Sequence, residues 1–212
     1  MRTSTKTDPP TRLRRLSGNS FDPVAFGRVV FPDPRESDDY GLVAIGGEYR
    51  PEMLLSAYAN GIFPWPSDEL PFAWFSPDPR MILHPLDFHA GRSLRKTLRR
   101  RRFRITFDHA FEAVIDGCAD APRAGDVGTW ILDELREGFL ELHQLGFAHS
   151  VEVWRDDFLV GGLYGLSLGS MFCGESMFHR ESDASKVALW ALCRKVADWG
   201  FELIDCQVHH DH

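Results

Sequence analysis

Hydrophobic and polar positions change their period several times along the chain, and each change predicts an element. Phe21 to Arg50 reads as short strands and turns, punctuated by Pro32, Pro34 and Gly46-Gly47. PEMLLSAYANG (51–61) reads as a compact helix whose buried stripe is Leu54, Leu55 and Tyr58. Pro51 stands where a first helical residue belongs, and Gly61 where a left-handed cap is needed. The aromatic, proline-rich run GIFPWPSDELPFAWFSPDPR that follows is too broken for a long element. It is expected to be a linker and a wall between two domains.

From Met81 the pattern changes. MILHPL predicts a strand, RSLRKTLRRRRFR a helix, FRITF a strand and FEAVIDGCAD a short helix. WILDELREGFLELHQLG predicts a longer helix. Three strand-like runs follow, HSVEVWRDD, FLVGGLYGLSLG and SMFCGESMF, with Arg155-Asp156-Asp157 turning between the first two. In the last helix Leu189, Trp190, Cys193, Val196 and Ala197 share one face. Ser182 or Asp183 can cap its start and Gly200 its end, and FELIDCQV is the final strand. Short helices and strands, with hairpins in the middle and a β-α-β ending, make a mixed α/β (α+β) fold. The expected division is a disordered basic tail over 1–20, a small α/β domain with linker over 21–80, and a larger domain over 81–212.

That last strand carries the candidate chemistry. Strand side chains alternate, so Asp205 and Gln207 are expected on one side and Ile204 and Cys206 on the other. With Glu175 on a neighbouring strand they form either a small polar site suited to acyl transfer onto an amine, or an ordinary strand end.

Composition narrows the classes. A 43% hydrophobic and 26% charged chain of 212 residues is an ordinary globular protein with a real core. No apolar run is long enough to span a bilayer, and the polar, basic leader lacks the apolar centre of a secretory signal. Cys118, Cys173, Cys193 and Cys206 form no CxxC pair, which argues against a zinc ribbon or disulfide framework and for the reducing cytosol. His209, His210 and His212 lack supporting ligands, and His143 and His149 read as structural, so no metal is expected. The net charge is −7, yet Arg92 to Arg104 holds eight Lys or Arg and no acid. Such a block fits a polyanion partner, and Arg95, Lys96, Arg99 and Arg100 recur at helical spacing for phosphate contact.

Ten segments in order resemble one family, the leucyl/phenylalanyl-tRNA–protein transferases. They are GLVAIGG (41–47), GIFPW (61–65), WFSPDPR (74–80), RSLRKTLRR (92–100), GTWI (128–131), LGFAHSVEVW (145–154), LVGGLYG (159–165), FCGESMF (172–178), DASKVAL (183–189) and LIDCQV (203–208). The resemblance implies a small N-terminal α/β domain followed by a GNAT-like acyltransferase domain. It implies a cytoplasmic aminoacyltransferase that moves Leu or Phe, and possibly Met, from aminoacyl-tRNA to the α-amine of proteins beginning with Arg or Lys. The product would carry a degradation signal. No cofactor is implied, because the aminoacyl ester is already activated. Gln207 would sit beside the nucleophile, Asp205 would polarise it, and Glu175 would position the acceptor. An amide is a very weak base, so Gln207 is better viewed as a hydrogen-bonding anchor, the proton leaving through Asp205, water or the tRNA ribose. Leu163, Phe172, Met177, Leu192 and Ile204 would wall the donor side-chain pocket, and Trp65 and Trp130 would stack on the terminal adenosine.

Departures are visible too. Leu163 and Leu192 stand where some relatives have Met and Phe, Phe75 where a second Trp is common, and His179 where a small residue is usual. Relatives continue past the VHHDH ending, so the chain reads as truncated at its C-terminus. Two rivals stand beside this reading. An acyl-coenzyme A dependent N-acyltransferase needs a glycine-rich turn for pyrophosphate, and HRESDAS before the last helix lacks glycine and carries two acids. A non-catalytic tRNA-binding module explains the Arg block and the tryptophans but not Glu175, Asp205 and Gln207.

Overall fold

The computed structural model describes residues 29–67, 69–121 and 131–208, and the backbone of Thr11–Leu13. The chain packs as two compact units, Met1–Pro79 and Arg80–His212.

In the first unit the strands are β1 (Thr11–Leu13), β2 (Leu42–Gly46), β3 (Phe63–Pro64) and β4 (Ala73–Phe75), with helix α1 (Pro51–Ala59) between β2 and β3. The sheet order is β1-β2-β4-β3, with β1 parallel to β2 and the other pairs antiparallel. The leader, expected as a disordered tail, thus contributes a three-residue strand. The aromatic segment is also more than a linker, since it supplies β3 and β4. Its Trp74 is fully buried, boxed edge-on by Phe31 and Tyr49 at 5.0 and 5.3 Å, and donates its indole N–H to the Gly46 carbonyl at 2.9 Å. Proline breaks the run into short strands, but the aromatic area still drives it into the core. Helix α1 is buried from Pro51 through Tyr58, not along one stripe, and Gly61 closes it at φ +74°.

The second unit contains β5 (Met81–Leu83), α2 (Arg92–Arg99), β6 (Arg104–Phe107), α3 (Phe111–Ala119), α4 (Asp133–Gln144), β7 (Ala148–Arg155), β8 (Phe158–Leu168), β9 (Met171–His179), α5 (Ala184–Asp198) and β10 (Leu203–Gln207). The six-stranded sheet runs β5-β10-β9-β8-β7-β6. Every pair is antiparallel except β9 and β10, which are parallel and joined by α5 as the crossover. Adjacent glycines show which helices cover which face. A Cβ on Gly161 would lie 2.6 Å from the Cβ of Ala184 in α5, and one on Gly162 would meet Val114 of α3 and Phe178. Neighbouring strand residues face opposite ways, so α5 and α3 cover opposite faces of the sheet.

On the α5 face the core joins Val151, Val153, Leu163, Phe172 and Ile204 to Ala188, Leu192 and Val196, with Leu94 entering from α2. The buried side of α5 matches the expected stripe only in part: Cys193 and Val196 are buried, as are Ala184, Val187, Ala188, Ala191 and Leu192, whereas Leu189, Trp190 and Ala197 are half-buried. Small alanines let the helix approach the glycine-lined strand, and the bulky Trp190 is left at the rim beneath Arg194, whose guanidinium carbon is 5.7 Å from the ring.

Two irregularities in the sheet matter most. Between β8 and β9 the register passes from Tyr164↔Ser176 to Gly165↔Gly174, leaving Glu175 as an extra residue. Between β10 and β5 it passes from Asp205↔Ile82 to Gln207↔Met81, leaving Cys206 extra. Bulges of this kind re-aim side chains. Gly165 is required at the first, since a Cβ there would lie 2.2 Å from the Cys173 carbonyl oxygen and 2.5 Å from the Phe172 ring. Overpacking against backbone costs about 1–3 kcal/mol or more. Gly165→Ala is therefore expected to lower the melting temperature by roughly 4–8 °C, measured by calorimetry. An unchanged transition would show that the strands can part at little cost.

Candidate active site

The two bulges bring the predicted polar residues together. Gln207 lies at φ +62°, a left-handed conformation that an L-residue adopts only at a cost. Its backbone N–H donates to Asp205 Oδ1 at 2.9 Å, an Asx-type turn that offsets part of that cost. Its side-chain Nε2 donates to Glu175 Oε1 at 2.8 Å. All three residues are buried, with Glu175 and Gln207 at 9% exposure and Asp205 at 5%. Ile204 and Cys206 turn instead into the core under α5, as the alternation predicts.

A fourth group completes the cluster, and sequence reasoning missed it. Arg80 grips Asp205 with a two-point fork, Nε to Oδ1 at 2.8 Å and Nη2 to Oδ2 at 2.6 Å. The Gln207 side-chain amide bonds Glu175, while Asp205 holds the Gln207 backbone. Both Asp205 oxygens accept from the Arg80 fork, and Oδ1 also accepts the Gln207 backbone N–H. The only hint of Arg80 in the sequence is its place at the end of WFSPDPR.

Cys173 pairs in register with Asp205 and is 1% exposed. Burial, aided by the nearby Asp205 and Glu175 carboxylates and opposed by Arg80, pushes its thiol far above the usual range. Burial likewise raises Cys193 to about 12, with Cys206 beside it, and raises Cys206, which Asp205 also repels. A protonated, enclosed thiol is a poor nucleophile.

The hydrophobic candidates divide. Leu163, Phe172, Leu192 and Ile204 lie together in the core, each under 5% exposed, with Ile204 in register with Phe172. Met177, opposite Leu163, is 47% exposed and sits at the edge of that group. Trp65 belongs to the first unit, 40% exposed and flanked by Phe63 at 6.1 Å and Phe75 at 5.7 Å. Trp130, with His209, His210 and His212, lies outside the described residues.

Arg95, Lys96, Arg99 and Arg100 are all exposed on α2 or at its C-cap, while Leu94 pins the helix to the core. Ser93 and Thr97 donate to Asp183 Oδ2 at 3.2 and 2.7 Å, so α2 is also tied to the start of α5. Asp183 stands at the N-cap of α5 at φ +69°, yet its carboxylate serves α2 and not its own helix. Glu181, two residues earlier, pairs with Arg155. Two carboxylates at that helix N-terminus would repel a pyrophosphate, which weighs against coenzyme A.

Other ionisable groups have structural duties. Glu152 is fully buried and accepts from Thr106, from Ser150 and from the backbone N–H groups of His109 and Ala110 at 3.2 and 3.4 Å, closing the start of α3. His143 stacks on Phe111 at 4.2 Å, and His149 pairs with Asp108 at 2.8 Å. Among the described residues no cluster of three or more His, Cys, Asp or Glu is arranged to hold a metal, and no helix is long and apolar enough to cross a membrane.

Comparison with known proteins shows the family. Residues 82–212, which include Glu175, Asp205 and Gln207, match the family model for leucyl/phenylalanyl-tRNA protein transferase, and residues 47–78 match the model for its N-terminal domain; Arg80 lies between the two matches. The chain belongs to the leucyl/phenylalanyl-tRNA–protein transferase family. A leucyl/phenylalanyl-tRNA–protein transferase from Myxococcus xanthus is 53% identical over 183 residues, covering 86% of this chain and 78% of the relative. One from Shewanella halifaxensis is 52% identical over 196 residues, covering 92% and 83%. Among solved structures, a ribosomal-protein-alanine N-acetyltransferase from Brucella melitensis overlaps 46% of this chain and 74% of its own, at 18% identity and a TM-score of 0.33. L-PGS from Bacillus licheniformis overlaps 59% and 45%, at 9% identity and 0.41. TM-scores this low do not assign the fold; the mixed α/β architecture rests on the transferase's own strands and helices.

The transferase's thiols supply a test of the site's enclosure. At about pH 8 an ordinary cysteine reacts readily. In the native enzyme Cys173 and Cys193 are expected to resist an aromatic disulfide reagent until denaturant is added. Rapid native modification of Cys173, located by peptide mapping, would mean that the site floor is open.

Proposed function

We propose that this enzyme transfers a leucyl or phenylalanyl group, with methionyl as a further candidate donor, from the 3′ end of tRNA to the α-amine of proteins beginning with Arg or Lys. The setting is the cytoplasm, and the product bears a destabilising N-terminal residue. One observation carries the reading: the buried Gln207 amide is held by its N–H end on Glu175. An ionised carboxylate only accepts, so this contact commits the amide nitrogen and leaves the carbonyl oxygen to accept from an incoming amine.

The reaction needs little beyond placement. The neutral α-amine attacks the ester carbonyl, the C–N bond forms, and the C–O bond to the ribose breaks. The amine loses one proton as the amide forms, and the leaving ribose oxygen takes up one proton to become a hydroxyl, directly from the amine or through water. An α-amine has a pKa of about 8, so a useful fraction is neutral at cytosolic pH. Orientation by Gln207 and Glu175 then contributes most of the rate. Cys173, protonated and enclosed, favours direct transfer over a covalent aminoacyl-enzyme. The carboxylate of Glu175 also suits an acceptor whose first side chain is a cation.

In this reading the donor side chain is received by the Leu163, Phe172, Leu192 and Ile204 group, with Met177 at its rim. A β-branched donor is disfavoured by shape, though one methyl is worth only about 1–3 kcal/mol. Trp65 and Trp130 are proposed to stack on the terminal adenosine. Arg95, Lys96, Arg99 and Arg100 are proposed to meet acceptor-stem phosphates.

The test is a transfer assay with labelled leucyl-tRNA and two peptides that differ only in an N-terminal Arg or Met. Label is expected on the Arg peptide alone, and Gln207→Ala is expected to lose about 100-fold in rate while tRNA affinity stays within twofold. A non-catalytic binding module would label neither peptide and would keep its tRNA affinity when Gln207 is replaced. Binding should also weaken roughly 100-fold between 50 and 200 mM salt if about four phosphates are contacted. Affinity flat across that range would sink the role given to α2, and Arg99→Ala should reduce the logarithmic slope by about one.

A further inference from the structure

Arg80 stands outside every role so far given to substrate or tRNA, yet its side chain is joined to the centre of the cluster. It is the first residue of the second unit, 125 positions from the carboxylate it grips. Its side chain is 21% exposed and that of Asp205 only 7%, so the pair is largely withdrawn from water. Asp205 Oδ1 accepts two donors at once, Arg80 Nε at 2.8 Å and the Gln207 backbone N–H at 2.9 Å. The fork therefore fixes the rotation of the same carboxylate that holds Gln207 left-handed.

We propose that Arg80 is a positioning residue for the transfer reaction: it locks the Asp205 carboxylate so that Asp205 holds the Gln207 backbone and aims its amide at the acceptor amine. The proposal rests on the aminoacyl-transfer reading above. The chain of contacts is continuous, from guanidinium to carboxylate to backbone N–H, and then from the Gln207 side chain to Glu175. Without the fork, Asp205 turns toward water or its own backbone, the Asx-type turn opens, and Gln207 relaxes from φ +62° toward the ordinary region. Its amide then swings off Glu175. Because Cys206 is an extra residue opposite β5, the ladder at this point does not hold Gln207 by itself. A lysine in place of Arg80 keeps the charge but offers a point donor, not a planar fork matched to two oxygens.

The groups facing Asp205 come from three elements: Arg80 ahead of β5, Cys173 and Glu175 on β9, and the Gln207 backbone on β10. None of the others is a cation, so among these neighbours nothing replaces the guanidinium when it is removed.

The experiment is a double-mutant cycle in single-turnover transfer, using the full-length enzyme, leucyl-tRNA and an Arg-initial peptide. The variants are Arg80→Gln, Asp205→Asn and the two combined, with tRNA affinity measured separately and folding checked by circular dichroism. A misplacement of about 1 Å costs up to 100-fold, so each single variant should lose about 10- to 100-fold in rate, with tRNA affinity within twofold. The double variant should be no slower than the slower single, because both act through one contact. Wild-type rate in Arg80→Gln, or losses that multiply in the double variant, would overturn the proposal. Should Arg80→Gln fail to fold, Arg80→Lys takes its place in the cycle, and a wild-type rate there overturns it equally. A wild-type enzyme that labels no peptide would instead defeat the aminoacyl-transfer reading itself, so the two failures are distinguishable.

Discussion

Two carboxylates and an amide are buried at one end of the larger sheet, and the rest of that unit depends on keeping them satisfied. Taking a carboxylate out of water costs several kcal/mol unless it is paired and hydrogen-bonded. Asp205 meets that condition through Arg80 and the Gln207 N–H, and Gln207 gives its side-chain donor to Glu175. The contacts span β9, β10 and the residue before β5, so they exist only while those strands are neighbours. Parallel adjacency of β9 and β10 in turn requires a crossover, which is α5. The close seat of α5, with Ala184 against Gly161, is thus part of what holds the polar cluster together.

Regular strands would not build this arrangement. Glu175 and Cys206 are the extra residues of two bulges, and Gln207 sits in a conformation that costs about 1–3 kcal/mol for a non-glycine residue. Such strain persists only where surroundings over-determine it. Here the Asx-type bond and the Glu175 contact hold backbone and side chain of the same residue from two directions. Compare Glu152, fully buried and in register with Gly162, with each oxygen committed to hydroxyl donors of Thr106 and Ser150 or backbone donors at the start of α3. The first cluster is strained and open to a substrate role; the second is relaxed and structural.

Much of this was legible in the sequence because local signals agreed with the final packing. The basic block does form α2, with Leu94 as its buried contact, and Pro51 and Gly61 do bound α1. Asp205, Gln207 and Glu175 do meet, as strand alternation and the family resemblance together suggested. What was hidden is non-local. Nothing around Arg80 indicates a partner 125 residues away, because an ion pair of that separation leaves no periodic trace. The aromatic run looked like a linker because proline breaks strands into pieces too short for a pattern, although Trp74 and Phe63 bury fully. The buried face of α5 was read only in part, through Cys193 and Val196, because alanines pack closest to a glycine-lined strand and hydrophobicity alone ranks Trp190 above them.

Arginine in this enzyme does two different things, and environment decides which. Those of α2 stand in water, where a single charge pair is worth about 0–1 kcal/mol, so their proposed value lies in many weak contacts to a polyanion. Arg80 stands in a largely dry cluster, where its planar fork meets one carboxylate at two points. The first kind tolerates movement, because a phosphate backbone can be met by any of several neighbours. The second does not, because it fixes the rotation of one carboxylate and, through it, one backbone dihedral. A reaction whose ester is already activated asks for little chemistry from protein groups and much accuracy of placement. In the roles proposed for them, the basic helix brings the substrate within reach and the buried fork maintains the geometry on which the rate depends.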